Sequence, residues 1–105
     1  MSRAQRGELW LIDLGMVAKT RPALVLSVAY DDRERAVVTY VPRTTVLRGT
    51  RFEVTHTARG FDPGGFDAQG IAGVPSVQLI RRLGVLDGAT LAQVETAVKA
   101  WLGLS

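Results

Sequence analysis

Only the end of this 105-residue chain carries helical periodicity, and that restricts the fold more than any other feature. Leu91, Val94, Val98, Trp101 and Leu102 recur at helical spacing and define one apolar face. Asp87 is a suitable N-cap, with Thr90 and Gln93 offering a capping box as an alternative start, and Gly103 ends the pattern. Everything upstream reads as short strands. Residues 7–14 (GELWLIDL) form a first candidate. Residues 22–30 are rich in Ala, Leu and Val, as suits a strand buried on nearly both faces. The charged run at 31–35 reads as a hairpin connection to a third strand, 36–41, which Pro42 is expected to stop. Residues 51–55 alternate as a fourth strand, whereas the glycine-rich stretch 60–70 reads as turn without regular structure. Residues 71–75 and 82–86 are further short strands, with a helical turn between them at 76–80. The pattern predicts one mainly β domain with a C-terminal helix: a small, strongly bent antiparallel sheet or SH3-like barrel.

Composition narrows the chemistry. With 47% hydrophobic residues the chain can build one core, and without cysteine it has neither disulfides nor thiolate metal sites. The absence of an apolar signal or membrane-spanning stretch predicts a soluble, cytoplasmic protein without membrane association. Net charge is only +3, yet eleven of the thirteen basic residues are arginine. Arg43, Arg48, Arg51 and Arg59 face the single acid Glu53 in their segment. Such a run is either a footprint for nucleic acid or an acidic partner, or a surface on which arginine replaces lysine.

His56 is the only histidine, so a two-histidine acid–base nuclease within one chain is excluded, and zinc catalysis lacks a ligand set. Its polar flanks, Thr55 and Thr57, suggest a solvated side chain. The scattered acids offer no two-metal cluster, and no metal or other cofactor is expected. What remains is arginine and threonine. Arg21 stands at the mouth of an apolar strand in Lys19-Thr20-Arg21-Pro22, and Thr44 and Thr45 follow the next strand in Val41-Pro42-Arg43-Thr44-Thr45. If those strands are neighbours, a guanidinium fork and a hydroxyl converge on one phosphate. The alternative is a solvated strand-entry arginine and a threonine turn. Donors of this kind cannot make a nucleophile from water, but RNA carries its own in the 2′-hydroxyl.

Taken in order, Arg6-Gly7-Glu8-Leu9-Trp10, Arg21-Pro22-Ala23-Leu24-Val25, Val41-Pro42-Arg43-Thr44-Thr45 and Phe52-Glu53-Val54 resemble the MazF/PemK-type toxins over nearly the whole chain. The resemblance implies an SH3-like barrel of the CcdB/MazF/PemK type and a homodimeric toxin of a type II toxin–antitoxin pair. It further implies a metal-independent endoribonuclease acting on single-stranded mRNA at short sequences. By position the family's catalytic arginine and threonine fall on Arg21 and Thr44, with Thr45 a close alternative for the latter. Lys19, Arg43, Thr45, Arg48 and Arg81 are candidate substrate-binding residues. The loop at 15–20 is shorter than in many relatives and lacks their G-S-E-Q stretch, and 82–86 lacks their D-K-x-R pattern. Two other functions remain open: a non-enzymatic gyrase-binding toxin of the CcdB type, and a degenerate module that only binds RNA or antitoxin. Trp101, Leu102, Trp10, Leu11 and Ile12 offer apolar surface for a homodimer, unless the helix simply caps the barrel. An acidic antitoxin is expected to bind across the arginine-bearing loops and compete with RNA.

Overall fold

The computed structural model describes residues 4–15 and 19–105, so part of the 15–20 loop lies outside the described residues. Among the described residues seven strands precede one α-helix: β1 (Glu8–Asp13), β2 (Thr20–Val25), β3 (Val37–Thr44), β4 (Glu53–His56), β5 (Gly64–Asp67), β6 (Ala72–Pro75) and β7 (Leu79–Val85), then α1 (Gly88–Leu102). Short 3-10 turns occupy Ala68–Gly70 and Ser76–Gln78. The sheet runs β4-β5-β3-β2-β1-β7, with β6 also on β3, and its pairs are antiparallel. It is strongly bent but open, since β4 and β7 remain its two ends.

The bend originates in β3. One edge of this strand pairs with β2, while the other pairs first with β6 through Val37–Tyr40 and then with β5 through Arg43 and Thr44. Pro42 stands between these two ladders. The expectation that it would end the strand is therefore corrected: its missing N–H falls at the break between partners, where no ladder bond is lost. Pro22 is accommodated similarly, beyond the last β2–β3 pair, Ala23↔Pro42. The second strand is shorter than expected and ends at Val25, after the consecutive buried residues Ala23, Leu24 and Val25.

The glycine-rich stretch also departs from expectation, because Gly64–Asp67 is a strand. Gly64 and Gly65 act here as close-approach residues. A Cβ on Gly64 would lie 2.2 Å from the Thr44 carbonyl oxygen, and one on Gly65 2.5 Å from that of Val54. Side chains at these positions would push β5 away from β3 and β4.

Two apolar clusters hold the sheet. Leu9, Leu24, Val41 and Phe66 pack with Val94, Ala97 and Val98 of α1. On the other face Ile12, Ala23 and Tyr40 gather Trp10, Leu14, Val74 and Leu79. Fully burying a residue such as Leu24 or Phe66 contributes about 1.5–3 kcal/mol. The Asp87 carboxylate caps α1 by accepting from the Thr90 N–H at 2.9 Å, and Gly103 closes it in the left-handed region at φ 71°. Ile12 is fully buried, so it drops out of the surface expected for a dimer, whereas Trp101 and Leu102 stay about half exposed.

The close approach at β5 yields a direct test. Gly64→Ala is expected to lower stability by about 1–3 kcal/mol through forced backbone separation. Gly73→Ala, whose Cβ would meet nothing nearer than 3.8 Å, is expected to stay within about 0.5 kcal/mol. Chemical denaturation measures both.

Candidate functional site

Register brings the two leading residues together. Ala23 pairs with Pro42, so Arg21 lies two residues before one member of that pair and Thr44 two residues after the other. In an antiparallel sheet both steps return to the same face and the same level. Arg21 and Thr44 accordingly line one cleft of about 440 Å³, together with Pro42 of β3. Arg48, Thr50, Glu53, Asp67 and Gln69 also line it. The Thr44 hydroxyl accepts from the Val46 N–H at 3.0 Å, a local turn that fixes its orientation. Thr45 is exposed in the bend after β3 and does not line the cleft, which separates the two threonines spatially.

Neither arginine of the cleft is in a close ion pair with a described residue, although the charge of Arg48 acts on Glu53. The ion pairs found among the described residues, Arg6 with Glu95 and Arg82 with Glu8, lie elsewhere. Both acids of the cleft serve backbone donors instead. Glu53 accepts from the Arg48 N–H at 3.0 Å and the Thr50 N–H at 2.9 Å. Those bonds hold its carboxyl below the usual carboxylate range. Asp67 accepts from the Gln69 N–H at 3.0 Å. Glu53 is not among the candidate catalytic or substrate-binding residues, yet it folds the loop that presents Arg48. Its sequence signal is to be the lone acid within an arginine run.

Arg43 is a correction. It is only 4% exposed, and its guanidinium is spent inside the protein. Nε donates to His56 Nδ1 at 2.8 Å, while Nη2 donates to the carbonyls of His56 at 2.9 Å and Asp62 at 2.7 Å. The Phe61 ring lies 5.0 Å below it. A side chain so engaged has no reach to RNA. Strand alternation carried the signal, since Arg43 shares its face with the buried Val41.

His56 is corrected with it. Rather than solvated, it is 7% exposed and packs its ring against Phe66 and Phe61 at 5.0 and 5.7 Å. As acceptor at Nδ1 it is the neutral imidazole with its proton on Nε2. Burial, and then the adjacent Arg43 cation, push its pKa down, against a weaker pull from Asp87. Burial also lowers the pKa of Arg43, opposed by Asp62. A guanidinium nevertheless stays charged.

The other candidates are dispersed. Lys19 is exposed ahead of β2, with φ 55° and its N–H donating to the Gly15 carbonyl at 2.7 Å. Arg81 is exposed on β7 opposite Leu11. Neither lines the cleft. Of the residues expected to act on substrate, the cleft joins Arg21, Thr44 and Arg48. Among the described residues no three His, Asp or Glu side chains are grouped to hold a metal ion.

Comparison with known proteins identifies the family and the fold. Residues 5–102 match the family model of the PemK-like, MazF-like toxin of type II toxin–antitoxin systems. The fold is similar to an endoribonuclease in complex with its cognate antitoxin from a mycobacterial species, at 28% identity over 97% of each chain with a TM-score of 0.83. It is similar to an endoribonuclease from a mycobacterial species at 27% identity, covering 98% of this chain and 94% of that one, TM-score 0.81. A MazE–MazF structure from Deinococcus radiodurans aligns over 100% of both chains at 25% identity and a TM-score of 0.84.

The role of Glu53 is testable without substrate. In Glu53→Ala the amides of Arg48 and Thr50 lose their acceptor, and their hydrogen exchange is expected to quicken several-fold while the Val41 amide is unchanged. The parent protein is expected to show the same loss as pH falls. A carboxyl with a lowered folded pKa contributes fully above its ordinary value, 4.5, and loses that contribution as pH falls through the lowered one.

Proposed function

Because the chain belongs to the PemK-like, MazF-like toxins of type II toxin–antitoxin systems, we propose that it is a sequence-specific endoribonuclease that cuts single-stranded mRNA without a metal ion. The observation that carries this reading is the register-opposed pair Arg21 and Thr44 on one open cleft. A phosphodiester seated there meets a fixed cation from β2 and a hydroxyl from β3. The 2′-oxygen attacks phosphorus and loses its proton, the 5′-oxygen leaves and gains one, and the products are a 2′,3′-cyclic phosphate and a 5′-hydroxyl. Arg21 stabilises the charge that builds on the phosphorane oxygens, Thr44 hydrogen-bonds the scissile phosphate, and Arg48 attracts the backbone beside it. A guanidinium hardly deprotonates, so Arg21 acts by its charge and its hydrogen bonds, and solvent water takes the 2′-proton and supplies the one that the 5′-oxygen gains. DNA lacks the nucleophile and is spared. The retained arginine–threonine pair favours this reading over a gyrase-binding toxin.

Purified protein incubated with a long single-stranded RNA in EDTA is expected to cut it and leave 5′-hydroxyl ends. A Mg²⁺ requirement, or equal cutting of DNA, would falsify the mechanism. Arg21→Ala is expected to slow cleavage by about 100- to 1000-fold, the usual cost of one preorganised donor. Thr44→Ala is expected to cost more than Thr45→Ala, and the reverse order would displace Thr44 from its role.

We further propose a homodimer working in the cytoplasm and inhibited by an acidic antitoxin. Among the described residues no helix is long and apolar enough to cross a membrane. Trp101, Leu102 and a second cleft bordered by Trp10, Val38, Val77 and Leu79 leave apolar surface for a partner. With Arg43 buried, the field that steers an acidic segment comes from Arg21, Arg48, Arg51 and Arg59. Sedimentation with labelled RNA tests both claims together. The chain alone is expected to run at twice its 11.4 kDa mass with the label bound, and antitoxin is expected to strip the label. A monomer, or a ternary complex with undiminished RNA affinity, would contradict them.

A further inference from the structure

Arg43 and Thr44 are adjacent, yet one turns into the protein and the other onto the cleft. The inward residue makes three hydrogen bonds that tie the end of β3 to the end of β4 and to the segment before β5. The outward residue pairs with Gly65 of β5. The backbone around Thr44 is thus held from both sides by the β4–β5 hairpin, which also supplies Glu53 and Asp67 to the cleft. There is little slack, since Gly64 lies against the Thr44 carbonyl and against Nη1 of Arg43.

We infer that Arg43 and His56 are positioning residues for RNA cleavage: neutral His56, held by Arg43, fixes Thr44 opposite Arg21, and protonation of His56 disengages it. The inference rests on reading the cleft as an RNA-cleaving site. Its physical basis is the buried Nε–H···Nδ1 bond. A proton taken up from solvent at Nδ1 removes the acceptor and sets a second cation against the guanidinium, so the bond cannot persist. The charged groups that act around His56 come from each element packed on it. They are Arg43 on β3, Asp62 ahead of β5, whose charge acts on Arg43, and Asp87 at the start of α1. The rings of Phe61 and Phe66 also lie against it. Asp87 is the only one of these groups that favours the protonated ring, and it also caps α1. The direction of the response follows from linkage. A histidine with a lowered folded pKa contributes fully above 6.5, and that contribution is lost as pH falls from there toward the lowered value.

The test pairs NMR titration with cleavage kinetics. Between about pH 7.5 and pH 5, the backbone amides of Thr44 and Gly65 are expected to shift in step with the His56 ring. His56→Asn replaces Nδ1 with an amide oxygen that accepts from Arg43 but does not titrate. It is expected to cleave like the parent at neutral pH and to lose the acid limb of the pH–rate profile. His56→Leu leaves Nε of Arg43 unpaired. It is expected to lower kcat by about 10- to 100-fold, the scale of a misplaced catalytic group, with KM changed by less than about twofold. An acid limb that survives in His56→Asn, or a rise in KM in place of a fall in kcat, would overturn the inference. If the parent does not cut RNA at all, the nuclease reading fails by itself. Coupled movement of Thr44 with His56 then sustains the positional claim, and independent movement overturns it.

Discussion

The molecule is organised around a single strand that changes partners. β3 keeps β2 along one edge while its other edge passes from β6 to β5, and Pro42 occupies the break. A residue without an N–H is tolerated only where no ladder bond is required, so the proline marks the place where the sheet can turn. Turning there has two results. It swings β5 and β4 over toward α1, closing the main core around Phe66 and Val41. It also leaves the two residues after the proline between hairpin and cleft, one facing each.

That constraint explains why β5 begins with two glycines. The switch brings the β3 backbone within reach of a Cβ at position 64 and the β4 backbone within reach of one at position 65, and glycine is the residue that fits at each. Arg43 completes the arrangement from inside. Its donors satisfy the carbonyls of His56 and Asp62, which would otherwise be turned toward a ring-lined interior. A buried cation is costly unless it is hydrogen-bonded or paired. Here a neutral histidine and two carbonyls accept from Nε and Nη2, the Phe61 face lies against the group, and the Asp62 charge acts on it.

Much of this is legible in the sequence, and the parts that are not share a cause. The helix is clear because a 3.6-residue period sustained over fifteen residues fits no strand, and Asp87 and Gly103 punctuate it. The meeting of Arg21 and Thr44 requires only that their strands be neighbours, which the connecting hairpin makes natural. Periodicity says little, however, about partner exchange. By their usual local meaning Pro42 is a strand stop and the glycines are turns, and long-range pairing reverses both. By residue type alone Arg43 and His56 are surface groups. Alternation along β3 places Arg43 with Val41, and that signal outweighs its charge once a buried acceptor is available. The choice between Thr44 and Thr45 needs the strand's end, since one residue there reverses the face.

The placement of the sole histidine bears on how such a cleft works. An imidazole is the usual proton carrier at neutral pH, yet this one is enclosed between two phenylalanines and its Nδ1 lone pair is committed to Arg43. Beside Arg21, Thr44 and Arg48 the cleft holds only Glu53 and Asp67 as ionisable acids, and both accept from backbone N–H groups. Catalysis by such a set is electrostatic and orientational. One donor aimed at developing charge contributes about 2.7–4 kcal/mol, so each depends on being held still. Stillness at Thr44 is supplied by the hairpin behind it and by the turn to Val46. The histidine therefore contributes more as a neutral acceptor inside than it would as an acid or base in the cleft. In its neutral form it accepts from Arg43 and so ties the end of β4 to the strand end that carries Thr44.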